Sequence, residues 1–387
     1  MVSLTKLPIQ LLANEECIIV VESLITREGT RPLLERRSME RSSKWELVPA
    51  HFGPLRSYVE DDEITDIDFN GRDLWLTNTA NERVKVQEHG VTKEFIEKFS
   101  HYIANNVSKA FNKVENLLEA DTGTLRISIV HESSAISGRS VCIRKTLPSV
   151  RMTIERMIKD EYCSTKILGL LINCVNARMN FVFCGEPGVG KTEAIKFFSQ
   201  YILGNERVIT IEDTPELHYR EINPDKDCVE LMVSDGFSYT KAIKTSLRQN
   251  PKWLMLSEAR SVEVKYLLES LSTGIRGFTT IHTDDVRKIP DRILNMMASR
   301  TDADRMENDI YMFLDVGVLI RKKLMKDGKV RRYIDQVCFF YRNDSRNIIF
   351  PVVLNGELIE HCFPRPIMEK FERMEVNPFE QEGGNEL

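Results

Sequence analysis

Residues 185–192 combine three glycines, a lysine and a threonine in a spacing suited to binding phosphate groups. They read Gly-Glu-Pro-Gly-Val-Gly-Lys-Thr, a complete G-x-x-x-x-G-K-[ST] loop. The glycines let backbone N–H groups turn inward around a β-phosphate, Lys191 reaches the β- and γ-phosphate oxygens, and the Thr192 hydroxyl is placed to hold Mg²⁺. The pattern predicts a nucleotide site, with Thr192 as a metal ligand, formed by Gly185, Glu186, Pro187, Gly188, Val189, Gly190, Lys191, Thr192 and Glu193.

The segments that flank this loop predict a strand before it and a helix after it. The apolar run Phe181 to Phe183 precedes the loop, and an apolar stripe with helical spacing, from Ile195 to Leu203, follows it. The positive end of the helix dipole adds to the attraction for phosphate. An ordinary glycine turn is the alternative, and the strand-loop-helix context argues against it.

Two acidic clusters follow apolar segments further along the chain. One contains Glu212 in Ile209–Glu216, and the other contains Glu258 in Lys252–Arg260. Because parallel strands end at the same edge of a sheet, we expect both acids beside the phosphate loop, where an acid orders the attacking water or a Mg²⁺-bound water. Each acid alone is more typical of a helix N-cap or a surface charge. The loop and the two strand ends together favour catalysis, with Glu258 also on the Mg²⁺ side and either acid as the base.

His282 closes a third apolar run, Gly277–Ile281, and should point to the same edge of the sheet. A histidine there is a polar group aimed at the edge where the phosphate loop lies. The alternative is a histidine that only caps a helix.

The composition limits the class of protein. A chain of 387 residues with 42% hydrophobic and 29% charged residues should be globular and form two or three domains. Its formal net charge of -5 argues against nucleic acid as a direct partner. The eight cysteines form no C-x-x-C pair, which indicates buried thiols in a reducing compartment. The longest apolar runs are far shorter than the roughly 20 residues of a spanning helix, so we expect a cytoplasmic protein that acts at membranes through partners.

The pattern along the chain predicts an α/β protein with several parts. Short alternating strands surround the Asn70-Gly71 turn, Leu147-Pro148 breaks the chain, and strands then alternate with helices as in a parallel nucleotide-binding sheet. Hairpin turns at 326–329 and 354–357 indicate antiparallel strands near the end. The expected parts are a charged extension (1–50), an N-terminal α+β domain (51–147), the core (151–322), a short antiparallel β appendage (323–372) and a polar tail (373–387).

The motifs, taken in order, resemble those of the secretion and pilus-motor ATPases, closest to their conjugative and tight-adherence branch. That family has a RecA-like P-loop core and powers type II and type IV secretion, conjugation and pilus assembly as hexameric rings at the cytoplasmic face of the membrane. The resemblance covers about residues 52–345. It rests on Gly185–Thr192 as Walker A, Ile209–Glu216 as Asp box, Ser246–Pro251 with Leu256–Glu258 as Walker B, and Thr273–Gly274 with Thr279–His282 as His box.

The resemblance implies roles for individual residues. It implies ATP and Mg²⁺ as ligands, His282 as the sensor of the γ-phosphate, and Arg126 and Arg144 as arginines that complete the site at a domain or subunit boundary. Without the resemblance, both arginines would be surface residues on strands. The implied partners are five further copies of the chain and inner-membrane proteins of a secretion or pilus machine.

Two departures from the family pattern keep a second function open. Ser257 stands where a glycine usually precedes the Walker B glutamate, and Glu193 stands where the helix after the loop usually has a small residue. The alternative is therefore an ATP-binding scaffold subunit with little hydrolysis. A nucleic-acid translocase is a third interpretation, which the acidic composition disfavours.

Overall fold

The computed structural model describes two β-sheets with helices packed on them. The predicted charged extension lies almost entirely outside the described residues, as does most of the first predicted hairpin turn. Among the described residues, no helix has both the length and the apolar content needed to cross a bilayer. The described residues are 49–234, 236–297, 299–326 and 330–379.

The N-terminal part is a six-stranded antiparallel sheet in the order β3-β2-β1-β6-β5-β4. Residues on β5 alternate between buried and partly exposed, so one face packs on apolar residues of α2 and the other face carries polar side chains. The strands are β1 Ile64–Phe69, β2 Leu74–Asn78, β3 Arg83–Val86, β4 Leu117–Asp121, β5 Leu125–Val130 and β6 Ser140–Lys145, with helices α1 Arg56–Glu60 and α2 Lys93–Asn106.

The core is a nine-stranded sheet in the order β15-β14-β13-β12-β7-β11-β10-β8-β9. Strands from β12 to β9 in this order are parallel, and β13 to β15 are antiparallel. This is the parallel sheet that the alternation of strands and helices predicts. The core strands are β7 Phe181–Cys184, β8 Val208–Glu212, β9 Cys228–Met232, β10 Trp253–Leu256, β11 Arg276–Ile281, β12 Val316–Leu324, β13 Val330–Asn343, β14 Arg346–Leu354 and β15 Glu357–Leu358.

Helices cover both faces of the core sheet, so its strands are buried on both sides. Side chains of Thr153, Ser164 and Ser238 accept hydrogen bonds from the first turns of three of these helices. The helices are α3 Ile154–Lys159, α4 Thr165–Asn176, α5 Lys191–Ser199, α6 Tyr219–Ile222, α7 Tyr239–Ser246, α8 Glu263–Ser272, α9 Ile289–Leu294, α10 Arg300–Phe313 and α11 Arg365–Arg373.

The antiparallel strands near the end are continuous with the core sheet. β13 pairs with β12 from Val316 opposite Phe339 to Leu324 opposite Val330. Phe339 and Phe340 point to opposite faces of β13 and both are fully buried, because helices cover this part of the sheet as well. The predicted appendage therefore shares its hydrogen bonds and its core with the nucleotide-binding sheet.

The first residues of the predicted polar tail are packed. After α11, the Asn173 side chain donates to the carbonyl oxygen of Asn377, and the rings of Phe379 and Phe363 lie 5.3 Å apart. Ile367 and Phe371 of α11 are buried against the core. The packed part of the chain therefore extends to residue 379.

Candidate nucleotide-binding site

The phosphate loop has a backbone that only its glycines allow. Gly185, Gly188 and Gly190 have φ angles of 140°, 76° and 94°, all in a region that L side chains rarely adopt. A Cβ atom on Gly185 would lie 2.3 Å from the carbonyl oxygen of Ile320 on β12. The loop follows the buried strand β7 and leads into α5 at Lys191, which is the predicted arrangement.

The ammonium group of Lys191 contacts the backbone of the phosphate loop. Its Nζ donates to the carbonyl oxygens of Gly185 at 3.0 Å and Glu186 at 3.1 Å, and lies 3.3 Å from Nδ1 of His282. Burial lowers the pKa of Lys191, and the charge of Glu258 opposes that shift. The ammonium group is therefore held at the loop, where it can exchange carbonyl oxygens for phosphate oxygens.

His282 connects Lys191 to Glu258. Nε2 of His282 lies 2.9 Å from Oε1 of Glu258, so a ring protonated at Nε2 donates to Glu258 and accepts from Lys191 through Nδ1. The other oxygen of Glu258 accepts from Arg260 at 2.8 Å, and Arg260 also contacts Asp213 at 3.0 Å. The structure thus brings three of the predicted site residues into one continuous set of contacts.

Glu212 holds the loop that follows β8 and does not face Thr192. Its Oε1 accepts backbone N–H groups of Glu216 at 3.1 Å and Leu217 at 3.0 Å, and the residue is buried. Burial raises the pKa of Glu212 to about 8, although those two N–H groups favour the charged form. Because Glu212 is buried and one of its oxygens already accepts two backbone N–H groups, the geometry does not favour Glu212 in the catalytic role expected for it.

Glu216 occupies the position next to the metal-binding hydroxyl. Its Oε2 accepts from Oγ1 of Thr192 at 3.2 Å. Glu216 lies at the end of the predicted acidic cluster, in which Glu212 is the expected catalytic acid. The strand pattern alone does not show which of these acids the following loop turns towards the phosphate loop.

The oxygen atoms around Thr192 fit Mg²⁺. Magnesium prefers oxygen ligands and usually takes one or two carboxylates, several waters and substrate phosphates. The Thr192 hydroxyl and the Glu216 carboxylate supply such atoms, whereas the carboxylate of Glu258, the other predicted metal ligand, contacts His282 and Arg260. In the described parts of the chain, no cluster of three or more His, Cys, Asp or Glu residues forms a metal site by itself. A metal here would therefore bind together with nucleotide.

Arg126 and Arg144 lie side by side on the N-terminal sheet. They are direct partners in the pairing of β5 with β6. Arg144 donates to Asp66 at 2.8 Å, and Arg126 lies 4.0 Å from Asp121. Burial works against the charged form of Arg144, but Asp66 and, more weakly, Glu216 raise its pKa. Like charges directly opposite each other destabilise a sheet, so an anion bound between the two arginines would relieve their repulsion. Arg144 also lies within electrostatic range of Glu216.

Glu193 faces away from the expected phosphate position. Its carboxylate accepts the backbone N–H of Arg151 at 3.4 Å and the ammonium group of Lys196 at 3.1 Å. One residue along a helix turns the side chain by about 100°, so the position after Thr192 points to the linker between the domains. The Glu193 carboxylate therefore contacts the linker, and a part for Glu193 in nucleotide binding, through its backbone N–H, stays a prediction.

Arg332 contacts the phosphate loop although no sequence motif indicates it. Its Nε donates to the carbonyl oxygen of Gly188 at 3.3 Å, and its Nη1 donates to the carbonyl oxygen of Thr79 at 3.3 Å. Arg332 lies on β13, in the segment predicted to form a separate antiparallel appendage. Only the pairing of β13 with β12 brings it to the loop.

Comparisons with known proteins identify the family to which the chain is related. A family model described as "Type II/IV secretion system protein" matches residues 114–337, more than half of the chain. An uncharacterized protein of Bacillus anthracis is 27% identical over 341 residues, which cover 81% of this chain and 75% of that protein. The type IV secretion system protein VirB11 of Bartonella quintana is 31% identical over 136 residues, 33% of this chain and 37% of VirB11.

The solved structures confirm the predicted fold class. The X-ray structure of the ATPase DotB from Legionella pneumophila matches with a TM-score of 0.57 at 15% identity and covers 78% of this chain and 83% of DotB. The fold is an α/β nucleotide-binding core with a smaller N-terminal domain. The family model covers more than half of the chain and spans the phosphate loop, Glu258 and His282. The chain therefore belongs to the type II/IV secretion system protein family, as the order of its motifs indicates.

Proposed function

We propose that the protein is a Mg²⁺-dependent ATPase that drives a type IV or type II secretion, conjugation or pilus machine. The observation that carries the proposal is the contact chain from Lys191 in the phosphate loop through His282 to Glu258. In this chain, His282 contacts both the lysine that would bind phosphate and the glutamate at the end of β10. Membership of the secretion family supports the machine that the activity serves.

The residues of the chain have separate tasks in this proposal. The N–H groups of the loop and Lys191 bind the phosphates, while Thr192 and Glu216 present oxygen atoms to Mg²⁺, which neutralises charge on the phosphates when bound. Glu258 accepts a proton from the attacking water or orients it. Arg144 and Arg126 approach the γ-phosphate from the N-terminal sheet and stabilise the developing charge.

His282 reports the state of the γ-phosphate to Glu258. Its Nδ1 accepts from Lys191, whose ammonium group would turn towards phosphate oxygens when they arrive. Nδ1 of the ring is then free to accept a hydrogen bond from another donor, and the contact of Nε2 with Glu258 changes. This exchange links nucleotide binding to the position of the catalytic acid.

The proposed assembly is a homo-hexamer at the cytoplasmic face of the membrane, docked on inner-membrane proteins of the machine. Arg144 is largely exposed at the domain boundary, which leaves it accessible to a nucleotide at an interface. Protein partners, not nucleic acid, suit the net charge of -5.

One observation favours the alternative of an ATP-binding scaffold with little hydrolysis. Both oxygens of Glu258 are engaged, one by His282 and the other by Arg260. A carboxylate whose two oxygens are both held by partners is less free to contact and orient an attacking water. In that case nucleotide binding would set a conformation without rapid turnover.

The test is steady-state ATP hydrolysis with Mg²⁺ by the full chain and by Lys191→Ala. Loss of the phosphate-binding ammonium group should lower turnover by about 100-fold or more, since one charge-stabilising donor contributes that much. Lys323→Ala is the matched control, because Lys323 is an exposed lysine on β12 and should leave turnover unchanged. Equal turnover in the wild type and Lys191→Ala would refute an ATPase at this loop, and nucleotide binding without turnover in the wild type would favour the scaffold.

A further inference from the structure

Arg332 touches the phosphate loop and the N-terminal domain with one guanidinium group. Nε donates to the carbonyl oxygen of Gly188, and Nη1 donates to that of Thr79, each at 3.3 Å. Thr79 lies in the turn between β2 and β3. The Cδ of Arg332 also lies 3.8 Å from the point where a Cβ on Gly190 would stand. The loop and the turn are therefore joined through a single side chain.

The charge of Arg332 is not neutralised by a direct ion pair with any residue that the structure describes. Burial lowers its pKa, and the charges of Arg151 and Arg156 act in the same direction. Tyr162 and Glu193 oppose that shift from a distance. Both of its hydrogen-bond acceptors are neutral carbonyl groups. A partly desolvated cation behind the loop favours anions in front of it, as bound phosphates would be.

A second set of contacts joins the same two parts of the molecule nearby. Nζ of Lys196 on α5 donates to the carbonyl oxygen of Leu147 at 3.0 Å, and Glu193 on α5 accepts the N–H of Arg151. Both ends of the linker are thereby held by the helix that follows the phosphate loop. The linker contacts fix where the N-terminal domain leaves the core, and the contact through Arg332 is a second connection between the same two parts.

We propose that Arg332 is a positioning residue that couples the phosphate loop to the β2–β3 turn of the N-terminal domain. The proposal rests on the proposed nucleotide site. Phosphate binding fixes the Gly188 peptide, Arg332 transmits that position to the Thr79 carbonyl, and the N-terminal sheet that carries Arg126 and Arg144 is held over the nucleotide. Release of phosphate loosens the same contact. Arg332 acts through the loop and does not touch the reacting atoms.

The test measures nucleotide affinity and backbone hydrogen exchange on the full chain. The probe is a non-hydrolysable ATP analogue with Mg²⁺. In the wild type, the analogue should slow exchange in residues 74–86, which contain β2, the turn and β3. In Arg332→Ala, the analogue should bind about 10-fold more weakly, since a hydrogen bond to a charged group contributes that much. At saturating analogue, exchange in 74–86 should then no longer respond.

Two further variants separate the bridge from simpler roles. Arg331→Ala is the matched control, because Arg331 contacts the backbone and side chain of Glu161 and makes none of the loop contacts of Arg332. It should keep the wild-type affinity and exchange response. Arg332→Lys keeps the charge but loses the planar fork that reaches two carbonyls. It should retain part of the affinity and not restore the response in 74–86.

The outcomes distinguish this proposal from the proposed function. If the wild type binds the analogue and exchange in 74–86 does not change, or if Arg332→Ala responds as the wild type does, the coupling is refuted while the nucleotide site stands. Full rescue by Arg332→Lys would show that charge alone is sufficient and would also refute the bridge. If the wild type does not bind the analogue, the proposed nucleotide site is refuted, and the coupling that rests on it is refuted as well.

Discussion

His282 lies between the cation that binds phosphate and the acid that ends β10. Its two ring nitrogens lie 3.3 Å from Lys191 and 2.9 Å from Glu258. A residue placed in this way changes partners when phosphate oxygens replace its contact with Lys191. The chemistry of the site therefore depends on side chains from three separate strand ends, β7, β10 and β11, which meet at one edge of the core sheet.

The structure divides the two acids of the Asp box into different roles. Glu212 accepts two backbone N–H groups, whereas Glu216 contacts Thr192. Glu216→Gln should lower the kcat for ATP by about 100-fold, since it removes a charge beside the metal-binding hydroxyl. Glu212→Gln keeps an oxygen acceptor for both N–H groups and should change kcat only a few-fold. Equal losses in the two variants, measured with nucleotide binding in each, would contradict this division.

The buried carboxyl of Glu212 predicts a pH dependence of stability. Burial raises its pKa from 4.5 to about 8, so the folded protein holds a proton that the unfolded chain releases. The resulting stabilisation is complete below pH 4.5 and is lost as pH rises through about 8. The Tm of the wild type should therefore fall more steeply between about pH 5 and 8 than that of Glu212→Gln. Parallel Tm curves from scanning calorimetry would show that this carboxyl does not titrate as described.

At the scale of elements, strand β12 fixes the shape of the phosphate loop. Gly185 packs so closely on the Ile320 carbonyl of β12 that a Cβ would collide with it. Thr192 and Glu216 meet because β7 and β8 end at the same edge, with β11 and β10 between them. The loop is thus positioned by the sheet, and its glycines allow the close contact.

Gly185→Ala should disrupt the loop. The substitution adds a Cβ at 2.3 Å from the Ile320 carbonyl oxygen and forces alanine to a φ of 140°. Nucleotide binding should be lost and the Tm should fall, since unfavourable backbone angles alone cost about 1–3 kcal/mol. Gly204→Ala is the control, because a Cβ there meets no atom within 4 Å. Wild-type nucleotide affinity in Gly185→Ala, measured by titration calorimetry, would show that the loop adapts.

Local patterns predicted most core strands but not the sheet to which the last strands belong. The buried strands β7 and β10 are visible because every residue in them is apolar, and β11 is visible from its β-branched and aromatic residues. β13 and β14 are hairpin strands by local pattern, and their pairing with β12 is a long-range feature that no local signal carries. β4 and β9 were missed because acids interrupt both segments, Leu117–Asp121 and Cys228–Met232.

The same limit explains which site residues the sequence could identify. The loop, Glu258 and His282 lie in contiguous motifs, so spacing alone selects them. Arg332 reaches Gly188 across 144 residues of sequence. Glu216 depends on the path of the loop after β8. Side chains placed by long-range pairing or by loop shape are visible only in the folded structure.

At the scale of the whole molecule, two connections hold the N-terminal domain to the core near the nucleotide. One runs from Gly188 through Arg332 to Thr79, and the other joins the linker to Glu193 and Lys196 of α5. In the proposed mechanism the loop and α5 also bind phosphate, so movement of the domain is linked to occupation of the site.

Lys196→Met tests the linker contact. Lys196 is almost completely buried, and its loss leaves the Leu147 carbonyl and Glu193 without its ammonium group. The variant should be destabilised by about 1–3 kcal/mol, and a protease should cut residues 147–151 faster than in the wild type. Lys166→Met is the control, since Lys166 is an exposed lysine on α4. Unchanged cleavage in Lys196→Met would show that this lysine does not hold the linker.

The most direct test of the ATPase mechanism is single-turnover cleavage of ATP bound to the wild type and to Glu258→Gln. Glutamine has nearly the same shape and keeps one oxygen acceptor for His282 or Arg260, but it cannot take a proton from water. Both proteins should bind ATP with similar affinity, and Glu258→Gln should convert it to ADP about 100-fold more slowly or not at all. Cleavage at the wild-type rate in Glu258→Gln would contradict the assignment of Glu258, and a wild type that binds ATP without cleaving it would contradict the motor.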